Sequence, residues 1–452
     1  MSNSANHESN AFHAERLMRF QPPRLQHRLQ PPFLYDPADF GTPGTREDVE
    51  AEQAGQIIPI PAPKRTPAVM DLAEVVGAKY AEEIQQNGQL VFHSAGDTGF
   101  GGPWDLDLVA PVMEMDLHRP NPADRPAFFL HLGDVIYNHQ YHNPESKANM
   151  YEPQFYVPYG HYSGKILAIP GNHDSNPQED PKSIDAFQNN FCAKPPASDS
   201  ELAALLNSPH RAPMYQPAVY FRLDAPFAQI IALFSNGGEK QGLLRGHVAG
   251  NAQWEFLLEQ LKEIKQARDA GKRKALIVAM HHPPFSGGGG HSGSTSMSGD
   301  LDEAFRETGI GPDVVLSGHA HVYQRFTRTV TFGGRKMDIP YVVAGTGGHG
   351  PIQPVKPTFE RQPVRTPLHG ASSTPADSHS LRQYFNGFGH LLLTVTNHVL
   401  TIDLIGTKTQ SHQAVDSVTV DFATSKVTHE TPPFTHPANG EEQSAFHSAP
   451  GR

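Results

Sequence analysis

The sequence predicts a layered α+β domain built on two β-sheets, and three observations carry that reading. Short apolar runs that end at glycine or in a small polar cluster recur from Leu90 onward: "QLVFHSAGD", "PAFFLHLGD", "KILAIPGN", "KALIVAMHH" and "DVVLSGH". Runs bounded in this way read as buried strands. Helix candidates lie between them, the clearest being "NAQWEFLLEQLKEIKQARDAGKR", with apolar residues at helical spacing, Asn251 as the N-cap and Gly271 as the stop. Later strands, "IPYVVAGTGG" and "GHLLLTVTNHVLTIDLIG", follow each other closely, as antiparallel hairpins do, so two sheets are expected.

Around this core the composition shifts twice. Residues 1–87 are rich in proline, glutamine and charge, and "QPPRLQHRLQPPF" and "IIPIPAPKRTP" read as extended or polyproline segments of an N-terminal extension. The main domain is expected over 88–427, with a surface insertion loop at about 351–386 and a polar, disordered tail over 428–452. No internal repeat at a fixed period is visible.

The chain has 452 residues, enough that core size is not limiting. Acidic residues outnumber basic ones by 47 to 36, which argues against a broad phosphate-backbone face and so against a nucleic-acid partner. The single cysteine, Cys192, excludes an intramolecular disulfide framework and a cysteine-based zinc site, and reads as a small buried apolar residue. The N-terminus lacks an apolar leader core, and no segment approaches the roughly 18 apolar residues of a membrane helix. A cytoplasmic protein without a membrane partner is expected, although removal of a leader would leave the same pattern.

Every strand-like run ends in a residue able to bind a metal. In order these are Asp97 in "AGDTG", Asp134 and Tyr137 in "LGDVIY", Asn172 and His173 in "PGNHD", His281 and His282 in "VAMHH", and His319 and His321 in "SGHAH". One Asp at a strand end is usually a turn former or cap. Five such endings in succession point to one crevice, because ligands of open sheets gather outside the carboxyl ends of strands. Glycine before Asp97, Asp134, Asn172 and His319 permits tight turns and close approach. Oxygen and nitrogen donors without sulfur suit Fe, Mn or Zn, and a carboxylate can bridge two cations roughly 3.5–4 Å apart. Such a pair polarises a phosphoryl oxygen and lowers the pKa of a water, which is the chemistry of phosphate-ester hydrolysis.

The ordered motifs "GDTG", "GDVIY", "GNHD", "VAMH" and "GHAH" resemble those of the calcineurin-like metallophosphoesterases, specifically the purple acid phosphatase branch, over about Leu90 to Gly406. "HVYQRF" and "YVVAGTGGHG" look like the same branch. The resemblance implies a four-layer αββα sandwich with two mixed β-sheets and a binuclear centre at their loop edge. It implies that Asp97, Tyr137 and His321 hold one metal, that Asn172, His281 and His319 hold the other, and that Asp134 bridges them. Many relatives carry DxH where this chain has Asp97, Thr98 and Gly99, and Tyr137 would then supply a phenolate in place of the missing nitrogen. The implied metals are Fe with Fe, Mn or Zn, with a hydroxide between them attacking phosphorus.

On the substrate side the resemblance implies that His173 contacts phosphate or protonates the leaving oxygen, and Asp174 is expected to orient it. His291, in "SGGGGHSGSTSMSG", is expected in a loop that closes over substrate. His282 and His349 are weaker candidates, and Arg325 is expected to pair structurally below the site. The function expected is a phosphomonoesterase acting on a small-molecule phosphate ester. A phosphodiesterase with the same metals is the alternative, and a non-catalytic metal-binding scaffold ranks last. Purple acid phosphatases are typically secreted, so a reduced cytoplasm would favour Mn, Zn or ferrous iron.

Overall fold

All five apolar runs form strands, and each is buried along nearly its whole length because both of its faces are covered. The computed structural model describes residues 45–99, 106–137, 150–194, 213–286, 291, 293–350, 378–385, 387–407 and 414–432. In chain order the strands are β1 (Val69–Asp71), β2 (Gln89–Ala95), β3 (Phe128–His131), β4 (Lys165–Ala168), β5 (Phe221–Asp224), β6 (Ala228–Ala232), β7 (Ala275–Ala279) and β8 (Val314–Ser317). They continue as β9 (Tyr323–Phe332), β10 (Arg335–Ala344), β11 (Ser378–Phe385), β12 (Gly389–Thr396), β13 (Val399–Gly406), β14 (Ala414–Asp421) and β15 (Lys426–Glu430).

Among the described residues these strands make two mixed sheets, in the orders β15-β14-β13-β12-β2-β3-β4 and β1-β5-β6-β7-β8-β10-β9-β11. The β2-β3-β4 and β6-β7-β8 sets are parallel, so the loops after β2, β3, β4, β7 and β8 leave from carboxyl ends. Phe92, Leu130, Leu167, Leu391 and Leu393 of one sheet pack with Ile230, Ile277, Leu316 and Val342 of the other in one apolar cluster. Alternate residues face outward. Phe129 and Ile166 share a cluster with Val109, Ala110 and Met113 of the helix Leu106–Asp116, while Leu276 and Val278 share it with residues of the helices Ala252–Asp269 and Thr295–Thr308. Helices thus cover both outer faces, giving the αββα layering and the α+β class expected.

Three boundaries differ from the sequence reading. The segment before residue 88 is not merely an extension: Arg46–Glu52 is a helix, and β1 pairs in parallel with β5 at the sheet edge. Two capping boxes, Thr45 with Asp48 and Asp71 with Glu74, fix local helix starts that the proline-rich composition obscured. Residues 378–385 of the expected insertion loop form edge strand β11 on β9, while 351–377 lie outside the described residues. β15 extends past the expected tail start, and the rest of the tail, 433–452, also lies outside them. The helix over Ala252–Asp269 starts at Asn251, but its capping side chain makes no cap hydrogen bond; Gly271 stops it with φ 80°.

Candidate metal centre

The strand ends deliver their side chains through backbone that L-residues rarely adopt. Asp97, Asp134 and His319 have φ of 59°, 54° and 68°, a left-handed conformation that costs roughly 1–2 kcal/mol for a residue with a Cβ. Such strain persists where the surroundings over-determine it, commonly at functional sites. Gly171 shows why the preceding glycines are required: a Cβ there would lie 2.1 Å from Asp134 Oδ1 and 2.4 Å from its backbone nitrogen.

The expected ligands meet in two adjoining groups. In the first, Tyr137 Oη donates to Asp97 Oδ1 at 3.1 Å and lies 3.2 Å from His321 Nε2, which is 3.4 Å from the same carboxylate oxygen. In the second, Asn172 Oδ1 lies 3.0 Å from both His281 Nε2 and His319 Nδ1. Asp134 Oδ2 approaches His281 Nε2 at 3.3 Å, and donor atoms of Asp134, His281 and His319 all fall within 4.8 Å of one another. The His319 amide donates to Asp97 Oδ2 at 2.8 Å, tying the groups together. All seven residues are buried.

The donor chemistry fits a cation. The Leu132 carbonyl, 2.8 Å from His281 Nδ1, can only accept, so that nitrogen carries the proton of the neutral ring and Nε2 presents a lone pair. The Glu239 carbonyl, 3.2 Å from His319 Nε2, fixes that ring likewise and leaves Nδ1 as a lone pair. Both lone pairs then face the Asn172 carbonyl oxygen, while the Asn172 amide nitrogen is buried without a hydrogen-bond partner. Acceptors facing acceptors are the arrangement that a cation between them satisfies. Without a metal a proton serves: burial opposes charge on His281, but Asp134 overrides it and raises the ring to about 9. Burial likewise disfavours charge on Asp134, yet His281 and His173 hold its carboxyl well below the usual range. Burial and the neighbouring histidines keep His319 neutral, as a ligand must be. Burial, Asp134 and Asp97 push the Tyr137 phenol well above 10, so ionisation to phenolate requires a cation.

Gly99 accounts for Tyr137. A Cβ at Gly99 would sit 2.5 Å from Tyr137 Cδ2 and 2.8 Å from Ile136 Cα, so glycine at this position makes room for the phenol ring. His349 completes the slot. Its ring stacks on Tyr137 at 3.4 Å and 10°, and its Nδ1 donates to the Gly99 carbonyl at 2.8 Å. His349 is therefore a positioning group for Tyr137, a role its isolated place after "GTGG" did not reveal.

His173 lies beside the ligands: its amide donates to Asp134 Oδ1 at 2.9 Å and its ring is 4.3 Å from that of Tyr137. Two carboxylates flank it, Glu179 Oε1 at 3.1 Å from Nδ1 and Glu239 Oε1 at 2.9 Å from Nε2. Burial opposes its charge, but Asp134 and these glutamates raise it to about 10, which favours the protonated ring. Asp174, expected to orient this histidine, follows it in the chain and is buried. Its carboxylate accepts from the amides of Val135, Ile136 and Gly171 and shapes the loops, while Glu179 and Glu239 hold the histidine. His291 reaches the site, its ring 4.5 Å from His319 and 5.2 Å from His321. His282 bonds Ser235 and the Gly238 carbonyl and is structural. Arg325 pairs with Asp416 and Glu430, as expected, and Cys192 is buried.

Fold and site together are those of a metal-dependent phosphoesterase. The family model described as calcineurin-like phosphoesterase matches residues 92–323, just over half of the chain, and the protein belongs to this family of phosphate-ester hydrolases. A curated relative, purple acid phosphatase 15 of Arabidopsis thaliana, is 22% identical over 311 residues, covering 60% of this chain and 52% of its own length. The chain thus spans about half the length of the curated relative it matches. Among solved structures, the Plasmodium protein described as GAP50, the anchor in the inner membrane complex, aligns with TM-score 0.46 at 13% identity, covering 78% of this chain and 90% of that one. PhoD aligns with TM-score 0.44 at 12% identity, covering 83% and 74%. No helix among the described residues is long and apolar enough to cross a membrane.

Proposed function

We propose that the protein hydrolyses small-molecule phosphate monoesters at a centre of two metal ions. The observation that carries this reading is the pairing of two donor groups, Asp97/Tyr137/His321 and Asn172/His281/His319, with Asp134 beside the second and His173 bonded to Asp134. When bound, the metals would supply Lewis acidity toward a phosphoryl oxygen and lower the pKa of a water. Hard oxygen donors including Tyr137 suit Fe at the first group, with Fe, Mn or Zn at the second.

The chain's own residues supply the rest. His173, flanked by Glu179 and Glu239, donates a hydrogen bond to the phosphate and then its proton to the departing alcohol oxygen. His291, which shares the Glu239 carboxylate with His173, contributes a second donor. The Leu132 and Glu239 carbonyls hold His281 and His319 in orientation, and the surrounding loops keep the left-handed strand ends in place.

The test is hydrolysis of an aryl phosphate monoester and the matching diester by purified protein supplied in turn with Fe, Mn and Zn. Faster monoester turnover that disappears, together with bound metal, in Asp134→Ala is the expected result. Diester preference would replace the monoesterase reading with a phosphodiesterase at the same centre. Unaltered rate and metal content in Asp134→Ala would refute both. A visible tyrosinate-to-iron band in the Fe form, absent from Tyr137→Phe, is expected if Tyr137 is a ligand.

A further inference from the structure

No motif contains Glu239, yet its side chain spans the two histidines assigned above to the substrate. Its Oε1 is 2.9 Å from His173 Nε2 and its Oε2 3.4 Å from His291 Nε2. One carboxylate therefore takes both ring N–H donors that a phosphate would need. The side chain is half exposed, so no burial forces it into this place. The backbone beneath it is held firmly. The Glu239 carbonyl accepts from His319 Nε2, and the Gly238 carbonyl accepts from His282 Nε2 at 2.8 Å. The buried Gln53 side chain accepts from the Gly238 amide and donates to the Gln241 carbonyl, and Lys240 pairs with Glu52. The N-terminal segment thus braces the loop that presents Glu239 to the site.

We propose that Glu239 is an internal competitor for the phosphate subsite: its carboxylate occupies His173 and His291 in the free protein and is displaced by the phosphoryl oxygens of the substrate. The proposal rests on the reading of those histidines as phosphate contacts. Carboxylate and phosphate are both oxyanions that accept charge-assisted hydrogen bonds, and a ring N–H donates one strong bond at a time. Phosphate binds only when the carboxylate has left, so the measured dissociation constant is the intrinsic one divided by the displaced fraction. The bound state then leaves an acidic side chain at the mouth of the crevice, where it repels the product phosphate and favours its release.

The experiment measures binding of inorganic phosphate to the metal-loaded full chain by calorimetry, for wild type, Glu239→Gln and Glu239→Ala. Removing one charge-assisted competitor is expected to tighten phosphate binding by about tenfold in both variants. The half-exposed position makes both variants compatible with folding. Binding that is unchanged or weaker in both would overturn the proposal and would make Glu239 a support for His173 instead. The readout is phosphate binding, so it stands apart from ester turnover: a wild type that binds phosphate but hydrolyses no ester counts against the proposed reaction only.

Discussion

Gly99→Ala tests whether the tyrosine-bearing group is built by steric fit. The added Cβ would meet Tyr137 Cδ2 at 2.5 Å, Ile136 Cα at 2.8 Å and the Ile136 carbonyl carbon at 2.9 Å. Carbon atoms pack at about 3.5–4.0 Å, so the shortfall is about 1 Å, and two of the three neighbours are backbone atoms. That backbone cannot yield easily, because the Val135 and Ile136 amides are held by Asp174. Tyr137 must tilt, losing its stack on His349 and its approach to Asp97 and His321. Overpacking of this kind costs about 1–3 kcal/mol, and a displacement near 1 Å at a reacting site costs on the order of 100-fold in rate. Aryl phosphate turnover, melting temperature and metal content would be compared with those of Tyr137→Phe, which removes only the hydroxyl. The expected result is a larger loss in Gly99→Ala than in Tyr137→Phe for both melting temperature and rate. Wild-type values in Gly99→Ala would refute the fit between glycine and phenol.

Three further outcomes follow from other parts of the molecule. Gly171→Ala drives a methyl onto Asp134 and should strip metal, read by elemental analysis, with retention of the fold by circular dichroism; full metal occupancy would contradict the placement of Asp134. Asp302→Ala leaves the Arg328 guanidinium, paired at 2.6 Å in a buried site, without its carboxylate, and should cost about 3–5 kcal/mol in denaturant unfolding; a loss below about 1 kcal/mol would show the pair to be dispensable. Burial lowers His93 from 6.5 to about 4 against the opposing pull of Asp116, so between these values the unfolded chain binds the proton and the folded chain does not. Stability from this group is complete above pH 6.5 and falls by about 3 kcal/mol as pH drops toward 4. His93→Gln should show a flatter decline over that window in denaturant titrations, and an unchanged slope would remove His93 as its source.

The parts legible in the sequence are those where one residue must have one chemistry. A side chain at a strand end that could bind a metal is one of only a few residue types, and the tight turn before it favours glycine, so Asp134 and Gly133, or His319 and Gly318, announce themselves locally. The continuous apolar runs were equally plain because strands covered on both faces need no polar alternation. The roles of His349 and Glu239 were not legible for the converse reason. Each acts on a partner far away in the chain, Gly99 and Tyr137 in one case and His173 in the other, and no local pattern encodes that meeting.

The N-terminal segment shows the same limit at larger scale. Proline and glutamine content marked it as an extension, and composition is blind to what a single buried glutamine does. Gln53 can satisfy a donor and an acceptor on one loop at once, which makes it a replacement for a short piece of sheet where no strand is present. Asn236 is bonded to both the amide and the carbonyl of Ile58 in the same way. These paired amide contacts fix the loop 236–241, whose Glu239 carbonyl meets His319, so the geometry around His173 depends on chain that carries no catalytic motif. A residue at the reacting centre is only as well placed as the backbone behind it, and here that backbone is held by amides from the segment with the least informative composition among the described residues.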